Sequence, residues 1–328
     1  MRRGDRPVLA GRNAAAVRAL AAELGLEHRT FALDDAQAAD EALRGMTAAV
    51  HCAGPFVRTS RPMADACLRA KVHYLDVTGE IEVFEALAAR DAEARDAGVM
   101  LLPGVGFDVV PSDCLAAHLK RRLPGATHLI LAFHSVGGVS RGTATTMIEN
   151  LHRGGLVRRQ GVLTRVPAAW RTRAVDFGRG PRTAVSLPWG DVATAYYSTG
   201  IPNIEVYTTA TGPLLLAMRA SRLVRPLLAS PWVQSFLKKR VRSGAPGPTA
   251  EQRARGRTVL WGEVTDGGGG RAVSRLHGPE GYTFTTLTAV AAIEKVLSGA
   301  APPGFQTPAK AYGPDFVLGV EGVKREDL

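Results

Sequence analysis

Apolar runs and helical patterns alternate through the first 110 residues. PVLAG at 7–11 predicts a strand, and the amphipathic NAAAVRALAAELG after it predicts a helix stopped by Gly25. HRTFALDD predicts a strand ending in acids, and AQAADEALRGM a helix. TAAVHCAGPF is a predicted strand, RPMADACLRA a helix and VHYLDVTGE a strand. A helix from about Glu82 to Ala97 should end at Gly98, ahead of the strand VMLLPGVGF. Strands and helices alternating at this spacing predict right-handed crossovers and a parallel sheet. Ligands of such a sheet gather where its strands end, and each strand here ends in small or polar residues.

Beyond Asp113 the pattern changes. SDCLAAHLKRRLPG predicts a helix with Ser112 as N-cap, THLILAFHS a strand, and RGTATTMIENL a helix opening at a Gly-Thr turn. Residues 155–210 read as extended and β-rich, and residues 213–242 as two basic amphipathic helices. SGAPGPTAEQRARG reads as a mobile loop, and RTVLWGEVTDGGGGRAVSRLHG as a hairpin around Gly267–Gly270. A last helix, TTLTAVAAIEKVLSG, closes at Gly299 before a tail rich in Pro and Gly. The predicted division is a dinucleotide-binding unit over 1–125, a mixed α/β unit over 126–290, and a tail over 291–328 that packs back on the first unit.

Composition narrows the function classes. At 328 residues with 45% hydrophobic content the chain can bury two cores. Cys52, Cys67 and Cys114 share no metal-ligand spacing and leave an odd thiol, which fits a reducing cytoplasm. No apolar stretch is long enough for a signal peptide or a membrane span. The net charge of +11 is uneven: residues 151–260 carry +14 and the remainder −3. No nucleic-acid motif accompanies that charge. A solvated arginine-rich face is one reading; the other is a docking surface for an acyl carrier or an anionic membrane surface, making the protein cytoplasmic and peripheral.

The strand ends hold the candidate chemistry. Gly11, Arg12 and Asn13 end the PVLAG strand, where a dinucleotide fold meets the adenosine ribose. An acid there would repel a 2′-phosphate, whereas Arg12 can grip one, so the expected cofactor is NADP(H). Asp34 would lie near the adenine or cap the next helix. Cys52, Ala53, Gly54, Pro55 and Phe56 form a turn with little side-chain bulk where ribose and pyrophosphate would pass, ahead of a helix N-terminus that favours anions. HYLDVTGE adds Asp76, Thr78, Gly79 and Glu80, and PGVGFDVVPSD adds Asp108, Ser112 and Asp113. Asp108 and Tyr74 are the candidate proton donors beside a nicotinamide. His51 and His73 sit inside strands and read as core residues. Arg141, Gly142 and Thr143 open a helix that could receive a substrate anion. No cluster with metal spacing and no Gly-x-Ser-x-Gly elbow is found.

Taken together, AGR at 10–12, CAGPF at 52–56, HYLDVTGE at 73–80, PGVGFDVVPSD at 103–113 and SRGTATTM at 140–147 resemble the saccharopine dehydrogenase-like oxidoreductases. IPNIEV at 201–206, WGEV at 261–264, GPEGYTFTTLTA at 278–289 and PPGFQTPAKAYGPDFVL at 302–318 extend the resemblance over nearly the whole chain. That family includes the trans-acting enoyl reductases of actinobacterial lipid synthesis. The resemblance implies a Rossmann-like NADP domain joined to a mixed α/β domain that contacts substrate and forms a homodimer. It also implies a glycine-rich strand, turn and helix before the AGR strand, which do not precede Pro7. The expectation is a start codon assigned too far downstream, or a truncated gene, with the first strand of the sheet missing. The function expected is hydride transfer to or from a C=C, C=N or C=O group of an acyl or lipid-like substrate. The rival is a non-catalytic dinucleotide-binding or scaffold protein, or an inactive truncated homologue.

Overall fold

The computed structural model describes residues 6–136, 141–150, 152–243 and 247–328. Strands β1 (Leu9–Gly11) and β2 (His28–Thr30) pair in parallel. Strands β3 (Ala48–His51), β4 (His73–Asp76) and β5 (Met100–Leu102) form a second parallel ladder. Among the described residues β1 pairs only with β2 and β3 only with β4, so the parallel strands lie in two ladders. The helix Ala14–Leu24 starts at Asn13, whose Oδ1 accepts from the Ala16 amide at 3.1 Å, and ends at Gly25 in the left-handed region. The helix Ala36–Leu43 is capped by Asp35 rather than Asp34. The single helix expected from Glu82 to Ala97 is two, Ile81–Ala88 and Asp91–Asp96. The break falls where Arg90 leaves helical geometry and pairs with Asp65 at 2.7 Å.

The second unit is a mixed sheet. Its strands are β6 (His128–Val136), β7 (Gly155–Arg159), β8 (Val162–Val166), β9 (Thr172–Asp176), β10 (Pro181–Ser186) and β11 (Asn203–Thr209), followed by the hairpin β12 (Arg257–Thr265) and β13 (Arg271–Pro279). The tail joins both units. β14 (Gly304–Phe305) extends the first sheet beside β5, and β15 (Lys324–Asp327) pairs antiparallel with β13. The order of the mixed sheet is β15-β13-β12-β6-β11-β10-β9, with β7 bridging β11 to β8. The stretch read as wholly extended contains the helix Asp191–Thr199. The basic segment forms three helices rather than two, Gly212–Ala220, Arg225–Ala229 and Pro231–Arg242. The stretch read as a loop holds the helix Ala250–Arg255, closed by a reciprocal cap between Thr249 and Gln252; residues 244–246 lie outside the described residues.

The helix Val110–Arg122 joins the two units, and nine of its thirteen residues are buried, so it is a core element rather than a surface one. Leu115 and Leu119 pack on β12 where Gly262 leaves room: a Cβ there would lie 2.5 Å from Leu119 Cδ1. Ser112 does not cap this helix. Val109 holds that position, and the Ser112 hydroxyl donates to the Val109 carbonyl at 3.1 Å. Asp113, in the first turn, instead reaches out of the helix. Its carboxylate accepts from the Ser198 hydroxyl and, at 2.8 Å, from the Ala309 amide. Asp113→Ala leaves those buried donors unpaired. The expected loss is about 2–4 kcal/mol in urea denaturation, against less than about 0.5 kcal/mol for Arg12→Ala at the exposed end of β1.

Candidate functional site

The edge formed by the ends of β4 and β5 is built around Asp76. This side chain is fully buried and accepts three hydrogen bonds, from Tyr74 Oη at 2.6 Å, the Thr78 amide at 2.9 Å and the Gly104 amide at 2.9 Å. The Gly104 bond ties the end of β4 to the turn after β5. Burial nevertheless lifts the Asp76 pKa to about 6. The Tyr74 hydroxyl is committed to Asp76, and burial followed by the nearby carboxylate pushes its pKa well above the usual phenol value. Tyr74 therefore lies within the core, behind the edge.

Thr78 Oγ1 accepts from the Glu80 amide at 3.0 Å, which aims the Glu80 side chain across to the next turn. Its carboxylate accepts from the amides of Phe56 at 3.1 Å and Val57 at 2.7 Å, the first turn of the helix Phe56–Ala70. This helix end, expected to attract a cofactor phosphate, is satisfied by the protein's own acid. Cys52, Ala53 and Gly54 are exposed at the end of β3, with Pro55 and Phe56 half-buried beyond them and a cis peptide between Gly54 and Pro55. His51 lies behind this turn, 2.9 Å from Thr59 Oγ1, and burial lowers its pKa to about 4.

Gly79 and Asp108 are in direct apposition. A Cβ on Gly79 would come within 2.6 Å of Asp108 Oδ2, so a side chain there would push the carboxylate out of this position. Asp108 is half-buried, and burial raises its pKa to about 6. The described residues show no side chain donating to it. Its carbonyl accepts from Trp189 Nε1 at 2.9 Å, which brings the second unit over the edge. Trp189 packs on Phe133 of β6 with ring centroids 4.6 Å apart, and Phe133 meets Phe107 at 6.4 Å, giving an aromatic wall beside Asp108. Asp191 is fully buried, and among the described residues neither oxygen finds a donor of full hydrogen-bonding geometry, Ser112 being the side chain that favours its charged form. Burial drives its pKa well above the carboxylate range, and the charges of Asp113 and Asp108 add to the shift. Burial likewise lifts Asp113 to about 6.

The remaining candidates divide. Gly11, Arg12 and Asn13 stand at the end of β1; Arg12 is exposed with no partner among the described residues, while the Asn13 side chain caps its helix. Asp34 is exposed beyond β2. Arg141 and Gly142 are exposed at the opening of the helix Arg141–Asn150, and the Thr143 side chain lies outside the described residues. Trp189, Phe133 and Asp191 were not anticipated from sequence. The Gly190-Asp191 pair before an apolar-periodic stretch is the one signal that pointed to a helix start there.

Residues 1–102 match the family described as saccharopine dehydrogenase NADP binding domain. The chain resembles the saccharopine dehydrogenase-like oxidoreductases. It is 32% identical over 124 residues to a trans-acting enoyl reductase of Mycobacterium leprae, covering 36% of this chain and 30% of that protein. It is 26% identical over 98 residues to a human saccharopine dehydrogenase-like oxidoreductase, covering 30% of this chain and 23% of that protein. The chain thus spans well under two thirds of the length of these relatives. The fold matches saccharopine dehydrogenase (L-Glu forming) from Saccharomyces cerevisiae with a TM-score of 0.63 at 12% identity, over 98% of this chain and 94% of that one. The cofactor of the matched domain is NADP(H). The end of β1 fits it: an exposed guanidinium without a partner among the described residues follows a glycine, and no acid ends that strand to repel a 2′-phosphate.

The unpaired Asp191 yields a test with a defined sign. Its raised folded pKa means the native state keeps a proton that the unfolded chain releases above the ordinary value of 3.8. Its contribution to stability therefore falls by about 1.4 kcal/mol per pH unit from there up to its folded pKa. Asp191→Asn should match the parent near pH 4 and become progressively more stable than it as pH rises, read by urea denaturation across a pH series.

Proposed function

We propose that this chain is an NADP(H)-dependent oxidoreductase acting on a C=C, C=N or C=O group of an acyl or lipid-like substrate, with an enoyl thioester as the preferred class. The observation that carries the reading is Asp108: a half-buried carboxyl with a pKa near 6, no side-chain donor among the described residues, and an aromatic wall beside it at the C-terminal edge of a parallel sheet. The match of residues 1–102 to an NADP-binding domain and the likeness to trans-acting enoyl reductases support it.

Gly11, Arg12 and Asn13 would hold the 2′-phosphate end of the cofactor, with Arg12 supplying two charge-assisted hydrogen bonds. The bound cofactor supplies or accepts the hydride. Phe107, Phe133 and Trp189 orient an apolar substrate and keep water from the reacting bond. In the reducing direction one alkene carbon gains the hydride, and the protonated Asp108 gives its proton to the other carbon, which holds the electron pair. Asp108 is left as a carboxylate and is reprotonated from solvent. Tyr74 and Asp76 position the edge from behind.

Two measurements test this. Arg12→Ala should weaken NADPH binding about tenfold or more while leaving NADH nearly unchanged, read by fluorescence titration; equal loss of both overturns the phosphate assignment, and no nucleotide binding by the parent overturns the oxidoreductase reading. With an enoyl thioester and NADPH, kcat/KM should fall about tenfold per pH unit above pH about 6, as Asp108 loses its proton. Asp108→Asn should be slower by about 10²–10⁴-fold and lose that limb of the profile.

A further inference from the structure

The segment from Gly212 to Ser243 combines three features. It contains seven lysines and arginines and no aspartate or glutamate. It folds as three consecutive helices, and none of its described residues is buried. Its large apolar side chains stand in solvent: Leu216, Val224 and Leu227 are exposed, with Leu223 86%, Trp232 75% and Phe236 55% exposed. Trp232 and Phe236, one turn apart, stack at 6.3 Å and present one aromatic face.

Polar bonds attach this segment to the body. Arg222 donates to the carbonyls of Ala168 and Ala169 at 2.7 and 2.8 Å, Arg225 to His152 at 2.7 Å, and Gln234 Nε2 to Ile148 at 3.0 Å. Those bonds fix the helices in place with this exposed set of apolar side chains outward. Beside the segment lies a cavity of about 320 Å³ lined by His152, Arg153, Arg165, Arg222 and Arg225, with no acid in its walls. Arg153 is neutralised by Glu82 at 2.7 Å, whereas the His152 Nδ1 is buried without a partner among the described residues.

We infer that this surface docks on a bilayer containing anionic phospholipid, with the Trp232–Phe236 face in the interfacial layer and a lipid phosphate in the arginine cavity. An exposed apolar face flanked by cations is what an in-plane interfacial helix requires. A second copy of the chain fits less well, since a two-fold contact would set the seven cations of each copy against those of the other. Each lysine or arginine near such a surface adds to the attraction, which decays within a Debye length. The inference is independent of the oxidoreductase reading.

Co-sedimentation of the whole protein with vesicles of phosphatidylcholine alone, or with added phosphatidylglycerol, tests it. The anionic vesicles should bind the parent at least about tenfold more tightly, with the advantage lost in high salt. The double variant Trp232→Ser, Phe236→Ser should lose most binding to both compositions. Lys239→Glu with Arg240→Glu should remove the preference for anionic lipid, and Arg165→Ala should weaken it. All five positions are accessible to solvent, and an unchanged thermal transition confirms folding. Binding that ignores lipid charge, or survives the double variant, overturns the proposal. So does a concentration-dependent dimer that the double variant abolishes, or capture of an acidic carrier protein without any vesicle binding.

Discussion

The carboxylate of Asp113 holds together elements that come from three distant parts of the chain. It belongs to the helix between the two units, and it accepts from Ser198 of the helix Asp191–Thr199 and from the Ala309 amide near β14. The position of Trp189 over the edge follows from this junction, because Trp189 lies two residues before that helix. The Trp189–Asp108 bond then closes the second unit over the ends of β4 and β5. Asp113 is buried at the cost of a raised pKa, so this junction gains direction and register more than stability.

Electrostatics at the edge follow from the same crowding. Asp76, Asp108, Asp113 and Asp191 all lose water, and all shift toward the neutral acid, but they differ in donors. Among the described residues Asp76 has three and Asp113 two, whereas Asp191 has none of full hydrogen-bonding geometry and is pushed toward the neutral form. Asp108 also has no side-chain donor among the described residues, but it is half-buried rather than sealed, and burial alone raises its pKa. Of the four it is the one that keeps contact with solvent, so a proton it gains or loses can be exchanged with water.

The parallel sheet was legible because its signals are local: apolar runs of strand length, glycines past helix ends, and polar residues where strands stop. The turns AGRN, CAGPF and DVTGE are found at the ends of β1, β3 and β4. What sequence could not show depends on contacts across the chain. Glu80 reads as a strand-end acid, yet its work is to cap the helix Phe56–Ala70 from another turn. Tyr74 reads as a donor at the edge, but strand alternation does not tell which face is sealed, and its hydroxyl turns inward to Asp76. The helix Asp191–Thr199 is hidden in the sequence because five of its nine residues are Thr, Val or Tyr, whose strand preference is overridden by burial against the helix Val110–Arg122.

The pairing of β14 with β5 carries a consequence for synthesis. The first sheet is encoded almost wholly in the first hundred residues, yet its outer strand is Gly304–Phe305. While the chain emerges from the ribosome, β5 must wait with one edge open until some two hundred further residues have been made. The Asp113–Ala309 bond is delayed in the same way. The N-terminal unit therefore reaches its final form only once Gly304–Phe305 has been made, and until then its open strand edge is exposed to wrong partners.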